Sequence, residues 1–503
     1  MAVAFPLLIL LLLGTATAYE KKIGESWDRL SNPQKVYQLY KLLGFRCIWY
    51  CDGLPTKEIS DFQQILREAV HHGLNPDRYK PVDGIDPELA TTDSLIRLAY
   101  HLYYGRVRPS ELYKGWSIPQ KQDRVLQTLA TLIKEGRLKD LFSELAPKNR
   151  EYWFLVEQAR LYRDLSSFEW KPIRLSKPLS YGDRDACLEE IRFRLFLLGD
   201  LEEYTFSETF DDTLLKAVRS FQRRHGLPDT GVIDTKTIAK LNVSPKERLS
   251  QVYLNLEKHR WLPEDFKRAV VVNIPSFELF LIENNSVRLQ SRVIVGRSYK
   301  EDFRPTPMLY SRIESITINP KWYVPVSISV KDLLPKVKKD PQYLIRKGFR
   351  VFQGEEEIDP LRIDWGQYNE RYFPFRLVQE PGGKNSLGYI KFNFPNPFAV
   401  YLHDTPDKHL FNRSHRAFSS GCIRVERARD LALALLGEGW NAKRLDNLIK
   451  SQQTQTIRLT NPVPVYILYF TTFERDGKIH FREDLYEYDT ILSRALSNSG
   501  GRR

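Results

Sequence analysis

Near residue 265 the spacing at which apolar side chains recur changes from three and four residues to two, and this switch constrains the fold more than any other feature. Upstream, KVYQLYKLLG, EISDFQQILREAVHHG, TTDSLIRLAYHLYYG and DRVLQTLATLIKEG carry helical spacing, and several end in the glycine that closes helices. Downstream, AVVVNIPSFELFLIENNSVRLQSRVIVG reads as strand, strand, Asn-Asn turn, strand. TPMLYSRIESITINPKWYVP and LGYIKFNFPNPFAVYLHDTP continue in strands, and VPVYILYFTTFERDGKIHFRED reads as a hairpin around Asp476-Gly477. At 503 residues the chain is too long for one core, so two to four domains are expected. With 42% apolar and 28% charged residues the composition is globular, not disordered. The expected fold class is multidomain α+β.

Boundaries follow from composition. Residues 19–169 read as a helical domain without a catalytic-looking charged cluster. His71 and His72 precede GLNP and read as structural residues closing a helix. WKPIRLSKPLSYG is a linker, and 177–245 read as a compact unit of two or three helices. In that unit Asp211 or Asp212 caps a helix, Phe221 points inward and HGLPDTG makes a tight turn. The β domain is expected over 265–490, interrupted from Ser327 to Val378 by an irregular, helical, charged insertion; 491–503 read as a flexible tail.

The first eighteen residues stand apart. VAFPLLILLLLG, then ATA, then the charged YEKK is the pattern of a cleaved secretory signal, too short to span a membrane. Export is therefore expected, with membrane attachment only if this segment stays uncleaved. No cysteine follows the run, so a lipoprotein anchor is not indicated. For an exported protein, a net charge of +13 points to an anionic polymer or surface as partner. No helix-turn-helix, zinc-finger or RNP-like motif speaks for nucleic acid. Of four cysteines, Cys47 and Cys51 could be oxidised to each other, and Cys187 reads as a helical core residue. That leaves Cys422 without a partner.

Cys422 lies in SSGCIRV, a small polar turn rather than an apolar run. The segment after it, Glu426 to Leu436, reads as an amphipathic helix, which would place the thiol near a helix N-terminus where a thiolate is favoured. A cysteine nucleophile needs a base, and His403 emerges at the end of the strand in VYLHDTP. His409 and His415 rival it by spacing, but both sit in the polar loop DKHLFNRSHRAF. Gly421 allows a substrate carbonyl close to the backbone, so the N–H groups of Gly421 and Cys422 could face an oxyanion. Arg424 could hold a carboxylate or brace the loop. No HExxH and no Cys/His cluster has ligand spacing, so neither metal nor cofactor is expected.

HDTP…SSGCIR resembles the signature of the YkuD-type L,D-transpeptidases. The stretches YLIRKGFRVF, QEPGGKNSLGYIKFNFPN, HHGLNPDRY and YYGRVRP resemble the long Gram-negative branch of that family. FDDTLLKAVRSFQRRHGLPDTGVIDTKTIAKLN is similar to a peptidoglycan-binding domain, through Phe210, Asp212, Thr213, Ala217, Val218, Phe221, Gln222, Gly226, Leu227, Asp229, Gly231, Thr237 and Leu241. Many members of the family have histidine where this chain has Ser420, and some of the long branch also carry serine.

The resemblance implies a helical scaffold domain, a three-helix peptidoglycan-binding domain and a mainly-β catalytic domain with a capping subdomain over 327–378. It implies acyl transfer through a Cys422 thioester, with His403 as base, release of D-alanine from a tetrapeptide stem and formation of 3→3 cross-links. The Asp404 carbonyl would orient the imidazole, with the Asp404 side chain as the alternative. Tyr401, Ser420, Asn385 and Tyr389 would bind substrate. Lys331, Lys336, Arg346, Trp365 and Tyr368 of the cap would grip the stem. Carbapenems would acylate Cys422. The location would be the periplasm, with peptidoglycan stems and glycan, and other wall-synthesis enzymes, as partners. The alternatives are an L,D-carboxypeptidase or hydrolase using the same site, and a wall-binding scaffold with an inactive catalytic domain.

Overall fold

The computed structural model describes residues 18–264 and 266–498. The expected signal segment therefore lies, but for Ala18, outside the described residues. The chain divides into two units.

Among the described residues the first unit takes 18–112, 119–264 and 470–498. Its helices include α1 (Pro33–Leu43), α2 (Lys57–Ala69), α3 (Pro87–Tyr104), α4 (Val125–Lys134) and α5 (Arg150–Leu165). Capping chemistry sets their ends. Asp86 accepts from the Glu88 N–H at 3.0 Å with Pro87 at the first helical position. Leu39, Leu89, Leu98, Val156 and Ala159 are fully buried between these helices. His72 lies in that core, stacked on Phe142 and bonded through Nδ1 to the Tyr152 hydroxyl at 2.8 Å. Cys47 and Cys51 form a disulfide. The turn that it closes is anchored by the buried Glu88 carboxylate, which accepts the N–H groups of Ile48 (2.6 Å), Trp49 (2.9 Å) and Tyr50 (2.9 Å). A buried carboxylate is tolerable only with donors of this number.

The same unit carries α6 (Cys187–Leu197), α7 (Asp212–Arg224) and α8 (Thr235–Leu241) around a core of Leu188, Phe210, Leu214, Val218, Phe221 and Leu241. Asp211, not Asp212, caps α7, accepting from the Leu214 N–H at 2.9 Å. Buried Gln222 clamps the Pro-Asp-Thr-Gly turn, accepting from the Gly231 N–H at 2.9 Å and donating to the Val232 carbonyl at 2.8 Å. Gly231 has φ +76°, and a Cβ there would lie 2.4 Å from the Leu215 side chain, so both conformation and space require glycine. Helix α9 (Pro245–His259) starts with a Ser244/Glu247 capping box.

The chain end departs from expectation. The hairpin Thr472–Arg475/Lys478–Phe481 groups with the first unit, not with the β domain. Phe481 packs edge-on against Tyr162, and Asn255 exchanges two hydrogen bonds with Thr471, at 2.9 and 3.0 Å. The expected tail is instead helical up to Asn498, through Tyr488–Asn498, with Asp489 paired to buried Lys258. Strand alternation shows that a hairpin has an apolar face, not which core that face enters.

The second unit spans Phe266 to Tyr469 together with Tyr113–Ile118. Its strands include β1 (Arg268–Asn273), β2 (Glu278–Glu283), β3 (Ser286–Gly296), β4 (Leu309–Ile318), β5 (Trp322–Tyr323), β6 (Phe349–Gln353), β7 (Glu356–Ile358), β8 (Phe375–Gln379), β9 (Ile390–Asn393), β10 (Leu402–His403), β11 (Ala417–Ser419), β12 (Ile423–Val425) and β13 (Gln455–Leu468). The main sheet runs β11-β3-β12-β10-β9-β4-β13-β1-β2, and β2 also pairs with β3, closing the circuit. Closure removes open edges. Val270, Ile294, Ile316, Phe392, Leu402, Ile423 and Val465 are fully buried in the core. Helices α10 (Ala428–Leu436) and α11 (Ala442–Lys450) complete the unit.

The insertion is a subdomain with its own four-stranded antiparallel sheet, ordered β7-β6-β8-β5, and short helices. Its sheet uses Trp322 through Gln379, slightly more than the expected 327–378. Val351, Leu344, Leu377 and Trp365 form its core, and the Trp365 indole donates to the Pro360 carbonyl at 2.9 Å. Trp365 thus holds the cap together and is not free to grip a ligand.

Candidate active site

Strands β10 and β12 are parallel, with Leu402 opposite Ile423 and His403 opposite Arg424. Leu402 and Ile423 point into the core. By strand alternation Tyr401, His403, Cys422 and Arg424 therefore project together from the other face. Lys391 of β9, opposite His403, joins them. The topology thus brings His403 and Cys422, nineteen positions apart in sequence, onto adjacent strand ends.

The imidazole is buried, and its Nδ1 lies 2.5 Å from the Asp404 carbonyl oxygen. A carbonyl only accepts, so Nδ1 carries the proton; the Leu387 carbonyl also hydrogen-bonds to the ring. Burial, reinforced by the charges of Arg424 and Lys391, lowers the His403 pKa to about 3, so the ring is neutral at pH 7. The Asp404 side chain is engaged elsewhere: it pairs with Lys408 and accepts the Tyr389 N–H at 3.0 Å.

Cys422 does not sit at a helix N-terminus. Strand β12 intervenes, and α10 starts only at Ala428. Burial pushes the thiol pKa up, opposed by hydrogen bonds from the Tyr401 N–H and hydroxyl and by the charges of Lys391 and Arg424. At rest the thiol and the imidazole on this face are thus both neutral. The thiol donates to the Ala399 carbonyl at 3.9 Å, and Ala399 itself is held at φ +52°. Lys391 Nζ stands 4.3 Å above the Tyr401 ring, whose hydroxyl also meets the Trp322 indole.

The turn before Cys422 is shaped by Gly421 at φ +112°. The Gly421 N–H donates to Ser419 Oγ at 3.1 Å, so it is not directed at a ligand as expected. Among the described residues the Cys422 N–H has no protein acceptor. Ser419 Oγ also donates to the Cys422 carbonyl at 2.5 Å, and Thr306 Oγ1 to the Gly421 carbonyl at 2.8 Å. Ser420 Oγ meets Arg304 at 3.0 Å and Asp332 at 3.2 Å. Arg424 pairs with Asp407 at 3.0 Å.

Two expected ligand-binding residues serve otherwise. Asn385 is 1% exposed and donates to the carbonyls of Pro320, Gln379 and Glu380 at 3.0 to 3.1 Å. It staples the two places where the chain enters and leaves the cap. Tyr389, half-buried, is held through its N–H on Asp404. His409 and His415 are exposed on the loop. In the cap, Lys331 is exposed, Lys336 stacks over Tyr343, Arg346 pairs with Asp340, and Tyr368 packs on Phe375. Lys391, Trp322, Arg304 and Asp332 escaped the sequence reading. Each reaches the site through strand pairing or a contact across tens of residues, with no motif around it. Among the described residues no cluster of metal-ligating side chains is present, and no helix is long and apolar enough to cross a membrane.

A family model for the YkuD L,D-transpeptidase catalytic domain matches residues 267–461. A scaffold-domain model matches 34–158, and one described as "Putative peptidoglycan binding domain" matches 191–241. A Haemophilus influenzae protein named "Putative L,D-transpeptidase" is 38% identical over 247 residues, 49% of each chain. The chain thus spans about half the length of that curated relative. Similar solved structures include an L,D-transpeptidase from Xylanimonas cellulosilytica, at 12% identity and TM-score 0.18, covering 59% of this chain and 100% of that one. Another is an L,D-transpeptidase from Stackebrandtia nassauensis, at 13% identity and TM-score 0.21, covering 60% and 100%. Three stretches of the chain thus match, in order, a scaffold domain, a putative peptidoglycan-binding domain and a YkuD-type L,D-transpeptidase catalytic domain.

Proposed function

We propose that the protein is a periplasmic peptidoglycan L,D-transpeptidase that forms 3→3 cross-links through a thioester on Cys422. The observation that carries this reading is the shared sheet face of Cys422 and His403, with His403 Nδ1 held on the Asp404 carbonyl; in this reading Nε2 is the base. As the sulfur attacks the carbonyl of the diaminoacyl residue, its proton passes to Nε2. The Cys422 N–H faces the oxyanion. The C–N bond to the terminal D-alanine breaks, and the leaving amine takes the proton from His403. An acceptor amine then attacks the thioester, His403 takes its proton, and the thiol is restored.

A neutral resting pair suits this cycle. The thiolate forms only as it is consumed, and water is not activated while the enzyme waits. Tyr401 and Lys391 support the sulfur as charge develops, and Arg424 keeps the imidazole neutral. The peptidoglycan-binding module supplies local concentration on the polymer, helped by the chain's positive charge.

The test is mass spectrometry of the mature protein with purified disaccharide-tetrapeptides, beside Cys422→Ala. A protein adduct lighter by D-alanine than the bound substrate, with dimeric muropeptide, both absent from the variant, is the expected result. Loss of D-alanine without dimer would make water the acceptor and the protein a carboxypeptidase. No adduct and no product would leave a wall-binding scaffold.

A further inference from the structure

Five side chains lock the cap to the turn that carries the thiol. Asp332 lies in the cap, in a single π turn, Ser329–Leu333. It receives Arg304 in a two-pronged pair, Nη1 to Oδ2 at 2.7 Å and Nη2 to Oδ1 at 2.9 Å. It also meets Arg297 Nη1 at 3.4 Å and the Ser420 hydroxyl at 3.2 Å. Arg304 Nη1 donates to Ser420 Oγ as well, at 3.0 Å, and Asp302 pairs with both arginines. Arg297 grips the turn's backbone, Nε on the Phe418 carbonyl at 3.2 Å and its own N–H on the Ser419 carbonyl at 3.0 Å. The side chains of Asp332, Arg304 and Arg297 are 17%, 18% and 24% exposed. Charge-assisted, two-pronged bonds this sheltered resist screening better than surface pairs and fix orientation as well as distance.

We propose that Asp332 is a positioning residue for the reaction at Cys422: through Arg304 and Ser420 it holds residues 418–422 in the shape that presents the Cys422 sulfur and N–H, so that seating the cap and assembling the site are one event. The inference rests on the acyl-transfer reading above. It gives Ser420 a role different from substrate binding.

The test uses the mature protein and a carbapenem as acyl donor. The sulfur bonds to the β-lactam carbonyl carbon, the ring C–N bond breaks, and the ring nitrogen takes the proton. Intact-protein mass spectrometry reads acylation, and peptide mapping reads iodoacetamide alkylation of Cys422, which needs the thiol but no oxyanion site. Asp332→Asn should slow acylation at saturating carbapenem roughly thirtyfold, within the hundredfold that an ångström of misplacement costs, and leave alkylation within about twofold. Ser420→Ala should slow acylation about fivefold, and adding it to Asp332→Asn should cost nothing more, as for groups acting in one unit. Unchanged acylation in Asp332→Asn overturns the inference. So does an equal fall of acylation and alkylation, which marks a collapsed site. If Asp332→Asn fails to fold, Ser420→Ala decides alone: the same selective loss supports the inference, and unchanged acylation overturns it. A wild-type protein that is alkylated but never acylated would sink the acyl-transfer reading itself, and this inference with it.

Discussion

Lys391 contributes charge to Cys422 without touching a motif. It is half-buried, its ammonium rests on the Tyr401 ring, and its charge opposes the burial that disfavours the thiolate. Removing it should raise the pH at which Cys422 becomes reactive. Lys391→Met keeps the apolar stem over the ring and should shift the alkylation profile of Cys422 upward by about one unit, about tenfold in rate at pH 7. Lys391→Arg should restore most of it. Iodoacetamide labelling across pH 6 to 10, read on the Cys422 peptide, checks this, and superimposed profiles for wild type and Lys391→Met would show that the cation is a bystander. Cys187 is an internal control, since burial, with its hydrogen bond to Asp185, pushes that thiol up to about 12.

Among elements, the peptidoglycan-binding module offers the clearest separation of roles. Its small core centres on Phe221, fully buried against Phe210 and Val218. Phe221→Ala should cost about 3–5 kcal/mol, enough to unfold so small a module. Binding to isolated sacculi should drop while carbapenem acylation of Cys422 persists; a sedimentation assay beside mass spectrometry reads both. If sacculus binding survives loss of the module's fold, the wall contact lies elsewhere. The module was legible in sequence because its cues are local: a cap, a glycine turn and helical spacing within thirty residues. The Cys422 and His403 motifs were legible for the same reason. The cap's sheet was not, because short charged strands lack clear alternation. Nor was the thiol's setting, since the reading joined Cys422 to a helix and the structure inserts β12 between them. Asn385 looked like a ligand group because it is polar in a Gly-rich loop, whereas every polar atom of its side chain is used on backbone.

At the scale of the whole molecule, buried neutral histidines set the acid limit. Burial lowers His101, His259 and His480 of the first unit and His403 of the second to about 3. The unfolded chain takes up these protons near pH 6.5 and the folded one does not, so stability falls as pH drops below that value. Between pH 7 and 5 each contributes a loss on the order of 2 kcal/mol. Glu151, raised to about 7 by burial, works in the opposite direction in that window and offsets one of the three in the first unit. The first unit should therefore lose more stability on mild acidification than the second. Hydrogen exchange at pH 7 and 5, compared for core amides of α5 and of β13, checks the order; equal or reversed losses would contradict it.

The return of residues 470–498 to the first unit has a temporal consequence. A chain emerges from its amino end, yet the partners of Asn255, Lys258 and Tyr162 are made last. While the second unit has all its residues and can close, the first must wait, with part of its apolar surface uncovered, until residues 470–498 arrive. A chain ended after Tyr469 should keep a thiol that carbapenem acylates, measured by mass spectrometry, but be cleaved by protease within the first unit. Intact survival of that unit would show that it closes without its last segment. Folding would then be a race between the arrival of residues 470–498 and anything that attacks an unfinished fold.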